Sequence, residues 1–198
     1  QGAPLINPVI RQCLGFGFGL LIAGSVSAAE LHPLVLDEDG IDAECRAGVY
    51  TASLSLRVAV APSTALEVLT DFEHMSDFVA NLTASRIVSR SGNVFHIAQQ
   101  GKATFGPFAF PFESERRVEV MPDGRILARA LSGSSKHMRS ELRYQADGGR
   151  TRIDYRLEVV PDRWMPSSIG VAFLRHELAE QFSGLAREME RRQKSRQK

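Results

Sequence analysis

Cysteine is scarce in this chain, which has only two, Cys13 and Cys45, among 198 residues. Two thiols are too few for a fold that depends on a framework of disulfide bonds. The fold must therefore be held together by a hydrophobic core. Apolar residues supply 43% of the chain, and a chain of this length can bury a core of useful size. The sequence therefore predicts one domain that folds by apolar burial.

An excess of charge of one sign is also lacking. The 24 Lys and Arg residues nearly balance the 23 Asp and Glu residues, which gives a formal net charge of +1. A protein that binds a polyphosphate backbone usually presents a strongly basic surface. The charge balance therefore argues against a nucleic-acid partner.

Motifs of metal-dependent and nucleophilic catalysis are missing from the sequence. None of the five histidines has a metal-ligand spacing such as H-E-x-x-H, and there is no G-x-S-x-G elbow. The acidic run from Asp37 to Asp42 lacks the twelve-residue pattern of a calcium loop. We therefore predict no metal, no cofactor and no catalytic residue.

The first 29 residues have the three parts of an export signal. Arg11 supplies a positive charge, residues 14–24 form an apolar run, and small residues follow it. The run is too short to span a bilayer, which favours a signal peptide cleaved near Ala28 or Ala29 over an uncleaved membrane anchor. The predicted location is periplasmic or secreted.

Cleavage would leave a neutral chain with one cysteine, because Arg11 and Cys13 would be removed from a chain of net charge +1. The following segment is acidic and is interpreted as a linker. We therefore divide the chain into a signal peptide at 1–29, a linker at 30–48 and one domain at 49–198 that ends in a basic tail.

Alternating hydrophobicity predicts a sheet in that domain. Residues 50–60 alternate apolar and polar side chains, the period-two pattern of a strand with one solvated face. Two short helices are predicted next, one from Pro62 onward and one at 71–78. Further strands are predicted at 82–89, 94–100, 108–120, 125–131, 136–145 and 150–160, with an interruption at Pro111.

The last fifty residues combine a strand with a long amphipathic helix. Apolar residues at helical spacing form one stripe: Val171, Leu174, Leu178, Phe182, Leu185 and Met189. Charged residues of the same segment are predicted to face solvent: Arg175, Glu177, Glu180, Arg187 and Glu188. A strand, two short helices, further strands and a long helix are typical of an α+β fold.

The Y-x-L-x-V-x-P segment at 155–161, followed by Trp164 and Pro166, resembles the end of a START-like domain of the SRPBCC superfamily, of the polyketide cyclase/dehydrase and coenzyme Q-binding type. This resemblance covers most of the chain after residue 50. It implies a helix-grip fold, in which a long C-terminal helix packs across the concave face of a curved antiparallel sheet of about seven strands. Where many relatives have Gly-x-Trp, this chain has S-E-L at 140–142, so no particular ligand is carried over.

In a sheet gripped by a helix, inward-facing side chains either line a cavity or fill the core. Phe108, Phe110 and Phe112 alternate along one strand and are predicted to form the apolar wall of a ligand pocket, with ordinary core packing as the alternative. Residues of the helices are predicted to complete the pocket: Phe78, Leu174 and Leu178.

Three further pocket candidates carry polar groups. Arg116 has the parity of the three rings, so it is predicted to meet a carboxylate, carbonyl or quinone oxygen of a ligand, unless a bulge near Pro111 turns it to solvent. Tyr155 and Trp164 lie close to the turn into the last helix. Each has an apolar body and one polar tip, which suits a pocket mouth as well as simple packing.

The resemblance implies a protein that binds or carries a hydrophobic small molecule, such as a lipid, a quinone or a polycyclic compound, and the first 29 residues predict that it is exported. A polyketide cyclase/aromatase-like enzyme, which can work mainly by shaping its pocket, is the second interpretation, and an interaction module without a small-molecule ligand is the third. The cations of the basic tail at 187–198 are favourable at the negative end of a helix dipole, so the tail is interpreted as the end of the last helix. Contact of the tail with an anionic membrane is the alternative.

Overall fold

A computed structural model describes residues 36–197, apart from the side chain of Phe108. The predicted signal peptide and the first part of the predicted linker therefore lie outside the described residues. The described chain begins with a 3-10 turn at Glu38–Gly40 and continues into eight strands and three α-helices. None of the helices in residues 36–197 has both the length and the hydrophobicity that a membrane span requires.

The strands pair into one antiparallel sheet. They are β1 Asp42–Arg46, β2 Val49–Val58, β3 Leu82–Ser91, β4 Val94–Phe105, β5 Phe108–Val120, β6 Arg125–Gly133, β7 Ser135–Asp147 and β8 Arg150–Pro161. Their spatial order is β1-β2-β8-β7-β6-β5-β4-β3. Successive hairpins build the sheet from β3 to β8, and the β2–β8 pairing joins the two ends of the domain.

Two short helices, α1 Pro62–Leu69 and α2 Met75–Phe78, follow β2, and the long helix α3, Ser167–Ser195, comes after β8. The predicted α+β helix-grip fold is thereby confirmed. The second short helix is shorter than predicted, because residues 72–74 form a turn before it. The long helix begins at Ser167, directly after Pro166, before its apolar stripe becomes visible in the sequence.

The sheet has one strand more than predicted. The additional strand is β1, which lies inside the segment that we interpreted as a linker. Its side chains alternate between exposed and half-buried, and it pairs with β2 at the edge of the sheet. The acidic residues Asp42 and Glu44 thus occupy the solvent side of a strand of five residues, too short for its alternation to stand out.

The predicted interruption at Pro111 is wrong, because β5 runs through this residue without a break. Pro111 pairs with Lys102 of β4, whereas β6 pairs with β5 only from Ser114 onward. This part of β5 has a strand on one side only, where a residue without an N–H group is tolerated. The irregularity of β5 lies between Glu115 and Arg116, opposite β6.

The second half of α3 packs closely across the sheet. Its buried apolar residues are Leu178, Ala179, Phe182, Leu185, Ala186 and Met189. Gly184 permits this close approach, because it lies against the carbonyl oxygen of Phe78. In the first turn of the same helix, Gly170 lies against the ring of Tyr50. A Cβ atom at either position would overlap these neighbours.

Three charged residues of α3 do not face solvent as predicted. Glu177 and Glu188 are buried, and the Nε atom of Arg175 is inaccessible to solvent. Glu177 accepts a hydrogen bond from Nδ2 of Asn81, and Glu188 accepts hydrogen bonds from two arginines of the next turn. The buried face of α3 is therefore wider than its apolar residues alone indicate.

The basic tail forms the last turns of α3 and is tied to α1. Arg192 makes ion pairs with Glu188 at 2.6 Å, with Asp71 at 2.5 Å and with Glu67 at 3.1 Å. Arg196 pairs with Glu67 as well. These carboxylates neutralise cations of the tail, and contact with an anionic membrane stays a prediction.

Candidate functional site

The interior is tightly closed around the second half of α3 and more open around the first half. Each residue at 171–176 is half-buried, whereas residues 177–179 are buried. Tyr50, which packs under Gly170, lies beside inward-facing sheet residues that also keep some accessible surface: Met138, Leu157 and Val159. Inward-facing side chains that remain accessible outline a space in which a small molecule can bind.

Arg116 points into this interior from β5. It has the parity of Val118, which is 3% exposed, and its Nε atom has no accessible surface. The residues that flank it on neighbouring strands are Ile97 of β4 and Ala130 of β6. Burial lowers the pKa of Arg116 below its usual range, although a guanidinium remains a cation at neutral pH.

Tyr155 reaches the same interior from β8. Its ring contacts Phe182 of α3, with 4.9 Å between the ring centroids. Burial raises the pKa of Tyr155, and the nearby Ser140 hydroxyl and Arg116 guanidinium partly oppose that effect. Arg116, Ser140 and Tyr155 therefore lie near one another, and we call these three residues the inner polar cluster.

The inner polar cluster is rich in hydrogen-bond donors. Because the pKa of Tyr155 is raised, its phenol stays protonated at neutral pH and can donate a hydrogen bond. The Nε atom of Arg116 has no hydrogen-bond partner among the described residues. The cluster can therefore hold and polarise an oxygen acceptor. Within residues 36–197 no group of three or more His, Cys, Asp or Glu side chains is arranged to hold a metal ion.

Aromatic side chains of the β4–β5 hairpin meet the first half of α3. The ring of Phe173 lies edge-on to Phe105 and Phe110, at centroid distances of 6.1 Å and 5.6 Å. Phe105 also contacts the imidazole of His176 at 5.8 Å. Phe110 is 38% exposed. We call Phe105, Phe110 and Phe173 the aromatic rim, because they form an apolar border between the interior and solvent.

Three other predicted pocket residues also face the interior. Phe112 is half-buried, and its ring lies over Gly101 of β4, where no side chain would fit. Leu174 is half-buried and Leu178 is buried on the face of α3 that packs against the sheet. The side chain of the third predicted wall residue, Phe108, lies outside the description.

The two remaining pocket candidates do not join this group. Phe78 packs against the second half of α3, where its carbonyl touches Gly184 and its ring lies 5.8 Å from the guanidinium carbon of Arg192. Gly184 is about 16 Å along the helix from Phe173 of the aromatic rim. Trp164 lies between β8 and α3 and is 87% exposed.

Two of the clefts in the described part of the chain cross the sheet, and the larger one includes three residues of the interior: Ser140, Leu157 and Arg175. The larger has a volume of about 830 Å³ and runs across β1, β2, β8, β7 and β6. Its lining is rich in charged residues: Asp42, Glu44, Arg139, Glu141, Arg156, Glu158 and Arg175. The smaller cleft, about 270 Å³, crosses β3 to β6. None of the predicted pocket residues with described side chains lines either cleft.

Sequence reasoning missed four residues of the interior: Ser140, Phe105, Phe173 and Arg175. Helical spacing contained a signal for Arg175, which is three residues before Leu178 and seven before Phe182 and so shares their face of α3. Alternation contained a signal for Ser140, which has the parity of Met138 and of the buried Leu142. Its position opposite Leu157 depends on strand pairing.

Residues 50–190 match the family described as polyketide cyclase / dehydrase and lipid transport. This match covers more than half of the chain and includes the first long strand, both short helices and most of α3. The chain belongs to this family, within the START-like superfamily that the end of the sequence resembles. The sequence matches no curated protein.

Solved structures with the same fold include an enzyme and a lipid transfer protein. The Zhui aromatase/cyclase from Streptomyces sp. R1128 superposes with a TM-score of 0.64 and 17% identity, over 73% of this chain and 95% of the other. A STAR-related lipid transfer protein from Xanthomonas axonopodis gives 0.55 and 12%, over 77% and 99%. A START superfamily protein from Mycobacterium smegmatis gives 0.58 and 14%, over 73% and 97%.

Proposed function

We propose that this protein is an exported binding or carrier protein that holds an apolar small molecule in the interior beneath the first half of α3. The observation that carries the proposal is the inner polar cluster, in which Arg116 has an unpartnered, inaccessible Nε atom next to Tyr155. Apolar contacts provide affinity in such sites, and a few placed donors fix the orientation of the ligand. An acceptor oxygen on the ligand satisfies the donors that the chain leaves unpaired.

The aromatic rim provides the route by which a ligand enters in this proposal. Its three rings offer an apolar surface that continues from solvent to the inward-facing residues of the sheet. The half-buried residues of the adjoining part of α3 can separate from the sheet at a smaller loss of contact than the buried residues that follow them. The first half of α3 thus acts as the movable side of the site.

Family membership and the predicted export signal support the two other parts of the proposal. The family description includes lipid transport, and one structural neighbour is named as a lipid transfer protein. The positive, apolar and small-residue parts of segment 1–29 support delivery to the periplasm or the medium. A lipid, a quinone or a polycyclic compound remains a candidate ligand.

A cyclase-like enzyme is the second candidate, and the composition of the inner polar cluster is what favours it. A protonated phenol and a guanidinium in an apolar setting can polarise a carbonyl group of a bound ketone and hold it for ring closure. Turnover of a linear polyketone mimic that is lost in Tyr155→Phe, with binding retained, would favour the enzyme. Binding without turnover favours the carrier.

Binding is tested most simply by titration with Nile red, a neutral apolar dye whose fluorescence increases in an apolar site. We expect saturable binding by the wild type and a several-fold higher Kd for Phe110→Ala, because this change removes a ring of the aromatic rim. Leu131→Ala is the matched control, since Leu131 is 45% exposed and belongs to neither the rim nor the inner polar cluster. Fluorescence that rises without saturation, or that is unchanged by Phe110→Ala, would contradict the proposed site.

A further inference from the structure

Arg116 brings a positive charge into the interior without a matching negative charge. It forms no ion pair with any residue at 36–197, and its Nε atom lacks a hydrogen-bond partner there. A buried charge is costly unless it is paired and hydrogen-bonded. The Arg116 guanidinium therefore needs a negative charge and a hydrogen-bond acceptor that residues 36–197 do not provide.

Among the described residues, the neighbours of Arg116 on the sheet offer no carboxylate. The adjoining inward positions are occupied by Ser114 and Val118 on β5, Ile97 on β4 and Ala130 on β6. The one ionisable group that interacts with the guanidinium is the Tyr155 phenol, whose pKa is raised by burial, so that it is neutral at neutral pH. Arg116 is thus an uncompensated cation.

A second cation, Arg175, approaches the interior from the opposite side. It shares the buried face of α3 with Leu178 and Phe182, and its Nε atom is likewise inaccessible and unpartnered. The buried carboxyl on this part of α3 is Glu177, which bonds to Asn81 and has a pKa raised by burial. Three of the four acidic residues that line the larger cleft with Arg175 pair with other arginines: Glu44, Glu141 and Glu158. Neither Arg116 nor Arg175 therefore forms an ion pair within residues 36–197.

From this charge imbalance we infer that the ligand is an amphipathic acid, whose carboxylate binds to Arg116 and whose apolar body extends toward the aromatic rim. The inference rests on the proposed function and narrows its ligand class from any apolar molecule to an anionic one. A carboxylate matches the planar fork of a guanidinium through two parallel N–H···O bonds. The Tyr155 hydroxyl adds a third donor to the same oxygen atoms.

The experiment compares acids with neutral molecules of the same shape, as competitors of bound Nile red. The pairs are dodecanoate with dodecan-1-ol and anthracene-2-carboxylate with anthracene-2-carboxamide. We expect the wild type to prefer each acid by about tenfold or more, the effect of one hydrogen bond to a charged group. Equal potency of acid and neutral partner would overturn the inference.

Arg116→Met assigns the preference to this residue. Methionine keeps much of the side-chain length and removes the charge, so we expect the ratio of the Kd of each acid to the Kd of its neutral partner to approach one, whatever the variant's own affinity for Nile red. Its melting temperature should be unchanged or higher, because the change removes a half-buried cation whose Nε atom is inaccessible and without a hydrogen-bond partner in residues 36–197. Arg117→Met is the matched control, since Arg117 is the next residue of β5 and pairs with Glu119; it should retain the preference.

The outcomes separate this inference from the proposed function. Nile red that fails to bind to the wild type refutes the proposed function. Nile red binding without preference for the acids refutes the inference alone. If Arg116→Met still prefers the acids to their neutral partners, the carboxylate binds elsewhere, and the inference is also refuted.

Discussion

Glu177 is a carboxyl group that α3 buries against the start of β3. It is 8% exposed and accepts a hydrogen bond from Nδ2 of Asn81, whereas Oδ1 of Asn81 has no partner among the described residues. Burial raises the pKa of Glu177, and His176 and Glu180 exert opposing electrostatic effects on it. A protonated Glu177 carries a hydroxyl that can donate to the unpartnered Oδ1 atom.

Because the pKa of Glu177 is raised, its contribution to the free energy of unfolding should decrease as the pH increases. The folded protein holds this proton more tightly than the unfolded chain, so the stabilising contribution is complete below the unfolded pKa and is lost as the pH rises through the folded pKa. Glu177→Gln, which is neutral at every pH and can still bond to Asn81, should therefore stabilise at neutral pH by on the order of 1 kcal/mol. Thermal melts of both proteins at about pH 4 and pH 7 measure the difference.

The advantage of Glu177→Gln should shrink toward pH 4. Glu113→Gln is the control, since Glu113 is exposed on β5 and does not act on the pKa of Glu177. A difference between the wild type and Glu177→Gln that is the same at both pH values would show that Glu177 is not protonated preferentially in the fold.

At the residue scale, the alternation of side chains along a strand predicted which residues face inward, but it did not predict which of them lie close together. Alternation placed Arg116 and Tyr155 on the inward faces of their strands, as the structure has them. The interaction between these two residues depends on the strand order, since β6 and β7 lie between β5 and β8. A period-two pattern does not show which strands are neighbours, so the sequence could not predict this interaction. Arg175 was missed because a charged residue was assigned to solvent by its type alone.

At the scale of the elements, the contact between α2 and α3 depends on a glycine. Gly184 allows the helix to approach the carbonyl oxygen of Phe78, and a Cβ atom would overlap that oxygen. The overlap involves backbone atoms, which cannot move aside as a flexible side chain can. The close docking of the second half of α3 therefore requires glycine at this position.

Gly184→Ala should destabilise the protein, although alanine is the better helix former by about 1 kcal/mol. Overpacking of this kind typically costs about 1–3 kcal/mol, so we expect a lower midpoint in chemical denaturation. Glu180→Ala, on the exposed side of the same helix, should change stability by no more than about 0.5 kcal/mol. A Gly184→Ala variant as stable as the wild type would mean that α3 does not approach α2 this closely.

The elements themselves were largely predictable, and the exceptions have physical causes. Seven of the eight strands and all three helices correspond to patterns in the sequence. The edge strand β1 was missed because its outward residues are acidic and it has only five residues. Pro111 was given too much weight, since its effect depends on whether both sides of β5 carry a partner strand.

At the scale of the whole described domain, residues 36–197, the interior is closed at one end of α3 and more open at the other. Arg192 fixes the end of the helix to Glu67 of α1 and to Asp71, which follows α1. The beginning of the helix contacts the aromatic rim and half-buried sheet residues. Charge distinguishes the two ends in the sequence, since residues 167–174 contain no charged side chain and residues 191–195 no apolar one. Which turns pack tightly against the sheet could not be predicted, because it depends on tertiary contacts. The asymmetry is the reason that we propose ligand exchange at the first half of α3.

The central claim is that this protein holds an apolar small molecule, and native mass spectrometry of the protein gently purified from its own host tests it most directly. We predict a species that is heavier than the polypeptide by the mass of one small molecule. Organic extraction should remove this molecule, and its mass identifies the ligand. The extracted protein should take up the same compound again at one equivalent. A protein found only at its polypeptide mass, and unable to bind Nile red or any of the offered acids saturably, would contradict the claim.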